Sequence, residues 1–302
     1  MVSHVSVVIN TLNEEKNIRK TIESLSWAEE IVIVDDGSTD RTYEVLLSLK
    51  KERPNLKIFK HKSEGFVEPA RNFAISKAKN DWILVLDSDE EVPVSLAKRL
   101  QEVANATKQI DYVGIPRKNI IFGHFMRHSG WWPDMNIRFF KKGAVKWTDK
   151  IHRPPETLGQ GIDLPADEKY AIIHNSYKTI SQFIERMNRY TTIQAKELKD
   201  EGYNFDWKDL FEKPMGEFLS RFFANEGYKD GLHGLSLSLL QAFSFLVMYL
   251  KLWEMDKFRK QEINLSEVNN LKNQSAEAFN YWIKKLKYPG NFFGRIFKKI
   301  KS

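Results

Sequence analysis

Three polar segments follow apolar runs in the amino-terminal part of this 302-residue chain: Thr11-Leu12-Asn13-Glu14-Glu15, Asp35-Asp36-Gly37-Ser38-Thr39-Asp40, and Asp87-Ser88-Asp89-Glu90-Glu91. In an open parallel sheet, ligands bind beyond the carboxyl ends of the strands, so residues placed there are the first candidates for chemistry. None of the three has the Gly-x-Gly-x-x-Gly spacing or the phosphate loop ending in Gly-Lys-Ser/Thr, which argues against a dinucleotide dehydrogenase or a P-loop phosphotransferase. Where carboxylates replace a glycine-rich cradle, a metal ion must meet the charge of a diphosphate. Asp87 and Asp89 can converge on one hard cation whose other ligands are waters and phosphate oxygens. Asp35 can accept from a base N–H or a ribose hydroxyl. Asp-Gly-Ser and Asp-x-Asp are also ordinary turn and helix-cap sequences. Their recurrence in order at three successive strand ends favours the ligand reading.

The elements that would position these segments are legible in the apolar pattern. Val5 to Thr11, Glu30 to Asp35, Leu56 to Phe59 and Trp82 to Leu86 read as buried strands of a largely parallel sheet. Ile18, Ile22 and Leu25 recur at helical spacing after the acidic Glu14-Glu15, and further helices are expected over Thr42 to Lys51 and Pro69 to Lys79. Strand alternating with helix implies an α/β sandwich. Beyond Val94 strands are expected at Tyr112 to Pro116, Ile137 to Phe140 and Tyr170 to His174, between loops rich in Trp, Pro and Gly that suit a binding cleft. From Thr179 the pattern is helical, with Ile180, Phe183, Ile184, Met187 and Tyr190 on one face. A boundary near Lys178 divides a catalytic domain, 1–178, from a helical extension, 179–302.

These segments resemble the inverting nucleotide-sugar glycosyltransferases of family 2, which have the GT-A fold. Glu68-Pro69-Ala70-Arg71-Asn72 followed by Asp81 to Glu90 is similar to the family's Arg-Asn helix and Asp-x-Asp strand. Gly130-Trp131-Trp132-Pro133-Asp134, Arg138-Phe139-Phe140, His152 with Glu156, and His174-Asn175-Ser176-Tyr177 resemble the subgroup that builds lipopolysaccharide cores and related surface glycans. Gly227-Tyr228-Lys229-Asp230-Gly231 with Gly234 resembles its carboxyl-terminal segment. The resemblance implies that Thr11, Asn13, Glu14 and Asp35, with Asp36 beside them, hold base and ribose, and that Arg71 neutralises the nucleotide side. It implies that Asp87 touches ribose or metal, and that Asp89 is the principal ligand of a Mg2+ or Mn2+ ion. His174 is either a further metal or diphosphate ligand or a structural hydrogen-bonding residue.

Displacement with inversion needs a general base for the acceptor hydroxyl. The Glu-Asp pair that family 2 enzymes often carry after the third motif is missing, and the subgroup's His-Glu is split here as His152-Arg153-Pro154-Pro155-Glu156. The candidates in order are Glu156, Asp149 and Asp134, each competing with a solvated loop acid. Trp131, Trp132 and Trp147 can stack on a sugar or fill the core; Arg138 and Arg153 can hold phosphates or form ion pairs.

Composition narrows the class further. The chain is 42% hydrophobic and 29% charged, as expected for a globular protein, and its lack of Cys removes disulfides, Cys-ligated zinc and thiol nucleophiles. Met1 to Thr11 lacks the features of a secretory signal. The net charge of +7 is concentrated in the tail, where Lys284, Lys285, Lys287, Arg295, Lys298, Lys299 and Lys301 stand without an acidic residue among them. Cations on a tail rather than over a folded face do not suit a nucleic-acid-binding protein. Gly231 to Leu250 carries no Asp, Glu, Lys or Arg, and Phe292, Phe293, Ile296, Phe297 and Ile300 interleave with the tail cations. Together they are expected to attach the protein peripherally to an anionic membrane surface, at the cytoplasmic face of the inner membrane, with a core helix or a spanning helix as the alternatives for Gly231 to Leu250. The whole reads as a metal-dependent hexosyltransferase using a nucleotide-sugar donor, a UDP-sugar first, and a lipid-linked or surface-glycan acceptor. The rivals are a nucleotide-sugar-binding scaffold without turnover and a nucleotidyltransferase, whose Gly-rich basic loop is missing from Val8 to Asn13.

Overall fold

The structure, a computed structural model, describes residues 4–61, 68–106, 109–147 and 155–286. Their contacts divide into two compact units, one formed by Met1–Phe125 with Trp131–Ser176, the other by Met126–Gly130 with Tyr177–Ser302.

The first unit opens with β1 (Val5–Thr11), α1 (Ile18–Glu23), β2 (Glu30–Asp35), α2 (Thr42–Glu52), β3 (Leu56–Lys60), α3 (Glu68–Lys77), β4 (Trp82–Asp87), β5 (Glu90–Glu91) and α4 (Val94–Ala104). It continues with β6 (Tyr112–Ile121), β7 (His124–Phe125), β8 (Met135–Lys141), β9 (Val145–Lys146), β10 (Glu156–Thr157), β11 (Gly161–Asp163) and β12 (Ile172–Tyr177). One sheet runs β3-β2-β1-β4-β8-β6-β12-β5, with β7 and β11 also paired to β6; β9 and β10 form a separate pair. β3, β2, β1 and β4 are parallel, β8 is antiparallel to β4, and β6 is antiparallel to β8.

The central strands are apolar on both sides because both faces are covered. Val7 and Ile9 of β1 and Ile31 and Ile33 of β2 pack with Ile18, Ile22, Leu46, Leu96 and Leu100. Val8, Val32, Val34, Ile83 and Val85 point the other way, onto Ala74, Ala78, Phe140 and Trp147. The period of two along a strand thus separates two cores. Trp147 is 5% exposed and belongs to the second of them, so of its two sequence readings the core one holds.

Several expected boundaries move. β6 continues through Pro116 to Ile121 because pairing with β8 ends at Pro116 and Met135, after which Ile120 and Ile121 pair with β7. The expected strand from Tyr170 begins at Ile172. Asp167 accepts a bond from the Lys169 backbone N–H and winds Glu168–Tyr170 into a 3-10 turn.

The second unit comprises α5 (Ile180–Asp200), α6 (Asp209–Leu219), α7 (Gly231–Met255) and α8 (Leu265–Lys285). The buried residues of α5 are Phe183, Met187, Thr191 and Ala195, spaced by four, while Ile180 and Ile184 are exposed. The single face expected from the sequence therefore turns away from Ile180 and Ile184: the buried residues follow a row four apart, and Ala195 in that row packs with Met248, Tyr249 and Leu252 of α7. Within this unit Asp230 accepts from the backbone N–H of His128, and Asn225 O accepts from Ser129 N. Gly227 and Gly234 allow this close packing. A Cβ on Gly234 would lie 1.8 Å from Gly227 O, and one on Gly227 would lie 2.2 Å from Ser129 Oγ.

Candidate active site

The register of the parallel strands sets the three polar segments side by side. Thr11 is opposite Asp35 across β1 and β2, and Asn10 is opposite Asp87 across β1 and β4. On the β1–β2 side, Asn13 adopts a left-handed backbone (φ 57°), which Asn tolerates. Its Oδ1 accepts from the backbone N–H groups of Thr39 and Asp40, and its own N–H donates to Ser38 Oγ. Asn13 therefore clasps the two loops together. Glu14 is drawn into the same clasp, its N–H donating to Thr42 and its carboxylate accepting from Asn17. Asp35 Oδ1 accepts from the Ser38 hydroxyl at 2.5 Å. Asp36 instead pairs with His61 Nδ1 at 3.0 Å; burial pushes its carboxyl up and His61 only partly opposes this. Asn10 Nδ2 and Thr11 Oγ1 are buried without a hydrogen-bond partner among the described residues. Buried polar atoms of that kind are costly unless a ligand or water satisfies them.

At the end of β4 the acidic segment folds back on itself. Asp87 N–H donates to Glu90 Oε2 at 2.9 Å, and Glu90–Glu91 pairs antiparallel with β12, setting His174 opposite Glu90. The Asp87 carboxylate is held by two guanidinium groups, Arg71 at 2.8 Å and Arg138 at 2.7 Å. Burial alone would raise its pKa, but Arg138 and Arg71 hold it far below the usual carboxylate range. Arg138, read from the sequence as a phosphate ligand or an ion-pair partner, is thus buried in an ion pair. Its side chain is 7% exposed, and it also lies 3.5 Å from the fully buried Glu90. Arg117 reaches Glu90 at 3.4 Å and Asp134 at 2.8 Å.

Asp89 lies beside His174. Its Oδ1 is 3.6 Å from His174 Nε2, and both side chains are largely buried. Among the described residues no cluster of three or more His, Asp or Glu side chains is poised around a metal. The Asp89–His174 pair nevertheless combines a hard anionic donor with an imidazole, a two-donor set suited to a cation that takes its remaining ligands from water and phosphate.

The three candidate bases differ in their surroundings. Asp134 accepts from Arg117 Nε, Asn119 Nδ2 and Asn136 Nδ2. Burial would raise its pKa, but Arg117 and these amides keep it below the ordinary value. Glu156 is exposed on β10, where its backbone pairs with Lys146 of β9, and its side chain makes no hydrogen bond or ion pair with the described residues. Asp149, with His152 and Arg153, lies outside the described residues. Trp131 and Trp132 are half-buried, and Trp132 meets Phe125 edge to face.

The sequence reading missed Arg117 and Asn119. Asn119 is completely buried near the end of β6. A lone amide between Lys118 and Ile120, in a stretch otherwise read as loop, was the available signal.

A parallel sheet in the order β3-β2-β1-β4, continued by antiparallel β8 and β6 and carrying acidic loops at its carboxyl edge, is the α/β architecture of a GT-A nucleotide-diphospho-sugar transferase. Residues 6–158 match glycosyl transferase family 2, and the chain belongs to that family. It is 26% identical over 260 residues to an uncharacterized glycosyltransferase of Rickettsia typhi, covering 83% of this chain and 87% of that one. It is also 26% identical over 235 residues to the lipopolysaccharide core biosynthesis glycosyltransferase LpsC of Rhizobium meliloti, covering 76% and 84%. Among solved structures it is similar to the mannosyltransferase PcManGT of Pyrobaculum calidifontis in complex with GDP-Man and Mn2+, at 15% identity and a TM-score of 0.47 over 92% of this chain and 81% of that one.

Proposed function

We propose that the protein transfers a hexose, with inversion, from a UDP-sugar to a hydroxyl of a lipopolysaccharide-core or other surface-glycan acceptor. The observation that carries this reading is the row of Thr11, Asp35 and Asp87 at three adjacent strand ends, with Thr11 Oγ1 and Asn10 Nδ2 buried there without a hydrogen-bond partner among the described residues. Thr11 and Asp35 bind base and ribose. Asn13 and Glu14 shape the loops around them, Asp36 supports the second loop through His61, and Arg71 offsets charge through Asp87. Asp89 and His174 would hold Mg2+ or Mn2+, which neutralises charge on the departing diphosphate when bound.

Glu156 takes the acceptor hydroxyl proton. It is preferred over Asp134 because the acceptor positions of Asp134 are engaged by Arg117, Asn119 and Asn136, which lower its basicity. Transfer of labelled hexose from UDP-sugars to truncated core glycans tests the reading. Glu156→Gln is expected to lower kcat about 100-fold while donor affinity, measured by calorimetry, stays near wild type. A comparable loss in Asp149→Asn with Glu156→Gln near normal would reassign the base. Donor binding without turnover on any acceptor would leave a scaffold.

The acceptor class agrees with attachment to a membrane surface. α7 has a mean hydropathy of 1.6 over its most apolar window, of which 28% is buried. Leu232, Leu239, Phe243 and Leu250, spaced by seven, four and seven residues, are 75%, 52%, 47% and 37% exposed. That spacing puts them on one face, as in a helix lying in the headgroup region. Leu239→Glu with Phe243→Glu, and separately deletion of residues 291–302, are expected to reduce flotation with anionic vesicles. Unchanged flotation in both would return α7 to a protein-packing role.

A further inference from the structure

Asn119 joins two parts of the candidate site that the sequence keeps far apart. Its Nδ2 donates to the Trp131 carbonyl oxygen at 2.9 Å and to Asp134 Oδ2 at 2.7 Å. Both partners are acceptors only, so the orientation of the amide is determined by its neighbours. Asn119 Oδ1 must then accept, and the group facing it at 2.7 Å is His174 Nδ1. An amide oxygen cannot donate, so Nδ1 of the imidazole carries the hydrogen. In the neutral ring the lone pair is left on Nε2, the nitrogen that faces Asp89 Oδ1.

We propose that Asn119 is a positioning residue that locks the His174 imidazole in the Nδ1–H form and ties it to the Trp131–Asp134 segment, so that the acceptor-side loop and the diphosphate-side ligand pair are set by one buried amide. Among the described residues, Asn119 Oδ1 is the group at hydrogen-bond distance from Nδ1. The amide is fully buried, so water does not replace a lost partner. Asp134 is in turn anchored by Arg117 and Asn136, which keeps the far end of the relay in place. Hydrogen-bond partners of this kind fix the ring orientation of a ligating histidine, and their loss typically weakens metal affinity by about 10–100-fold. The metal-affinity part rests on the assignment of Asp89 and His174 to a divalent cation; the form of the ring does not.

The test is heteronuclear NMR of the full chain labelled with 15N-histidine, the His174 signals being assigned by their absence in His174→Gln. Without metal, and at a pH where the ring is neutral, wild-type His174 should give a protonated Nδ1 and a bare Nε2. Asn119→Leu should move the ring toward the other tautomer or a mixture, with the remaining histidine signals in place. In parallel, Mn2+ affinity read by EPR should fall about 10–100-fold in Asn119→Leu, and this loss should vanish in the His174→Gln background. A neutral wild-type ring protonated on Nε2 with a bare Nδ1, or a ring unchanged by Asn119→Leu, would overturn the proposal. If Asn119→Leu does not fold, the wild-type tautomer alone decides it. The expected tautomer shift without Mn2+ binding to wild type would uphold the positioning role and remove the metal assignment.

Discussion

Asp89→Asn is expected to abolish sugar transfer, by about 1,000-fold or more, while the thermal transition and the circular dichroism of the protein stay close to wild type. The change keeps the shape of the side chain and removes one negative charge from the pair with His174. Asp89 is 8% exposed, so little solvent screens that charge, and loss of a charge there is felt in full by a cation or a diphosphate. Asp87 does not compensate, because Arg71 and Arg138 already occupy its carboxylate. Transfer assays over a range of Mn2+ concentrations, with a chelator-treated control, measure the effect. Wild-type rates from Asp89→Asn in chelator would remove the metal role.

Arg138→Met should be the most damaging change in the same cluster for stability. It leaves Asp87 and the fully buried Glu90 short of the cation that lies 2.7 Å and 3.5 Å from them. Removing one member of a buried pair costs about 3–5 kcal/mol. The lower end applies here because the Asp87 side chain is 32% exposed and retains Arg71. A loss of about 3 kcal/mol corresponds to a fall of roughly 6–12 °C in Tm for a unit of this size. The direction with pH follows from the lowered Asp87 pKa. Its pairing stabilises the fold above the ordinary carboxylate pKa and is lost as the pH falls far below it. The gap between wild type and Arg138→Met should therefore be full at neutral pH and narrow in acid. Thermal unfolding at neutral and acidic pH reads this directly; an equal Tm at neutral pH would mean that the pair contributes nothing.

Much of the amino-terminal half was legible because its determinants are local. β1, β2 and β4 are buried on both faces, so their apolar runs stand out, and they end at Thr11, Asp35 and Asp87. The strands after Val94 were blurred for a physical reason. β6 changes partner along its length, so its pattern follows no single neighbour, and Pro116 looks like an end when it is only the end of one pairing. On α5 the periodicity was visible but its phase was not. Ile180 and Ile184 are apolar and exposed, and only tertiary packing, of Ala195 on α7 and of Phe183 on Tyr177, selects the buried row.

The amino-acid sequence by itself determined the α/β alternation, the three acidic strand ends and their order, and membership of glycosyl transferase family 2, because burial of apolar strands and local turn chemistry are encoded within a few residues. What surrounds each carboxylate was decided only by the tertiary structure. Asp87 and Asp89 are two residues apart and alike in sequence, yet Arg71 and Arg138, brought in from α3 and β8, hold the first, while β12 sets His174 against the second. Electrostatic roles depend on what stands within a few ångströms, and those neighbours come from elements far away along the chain.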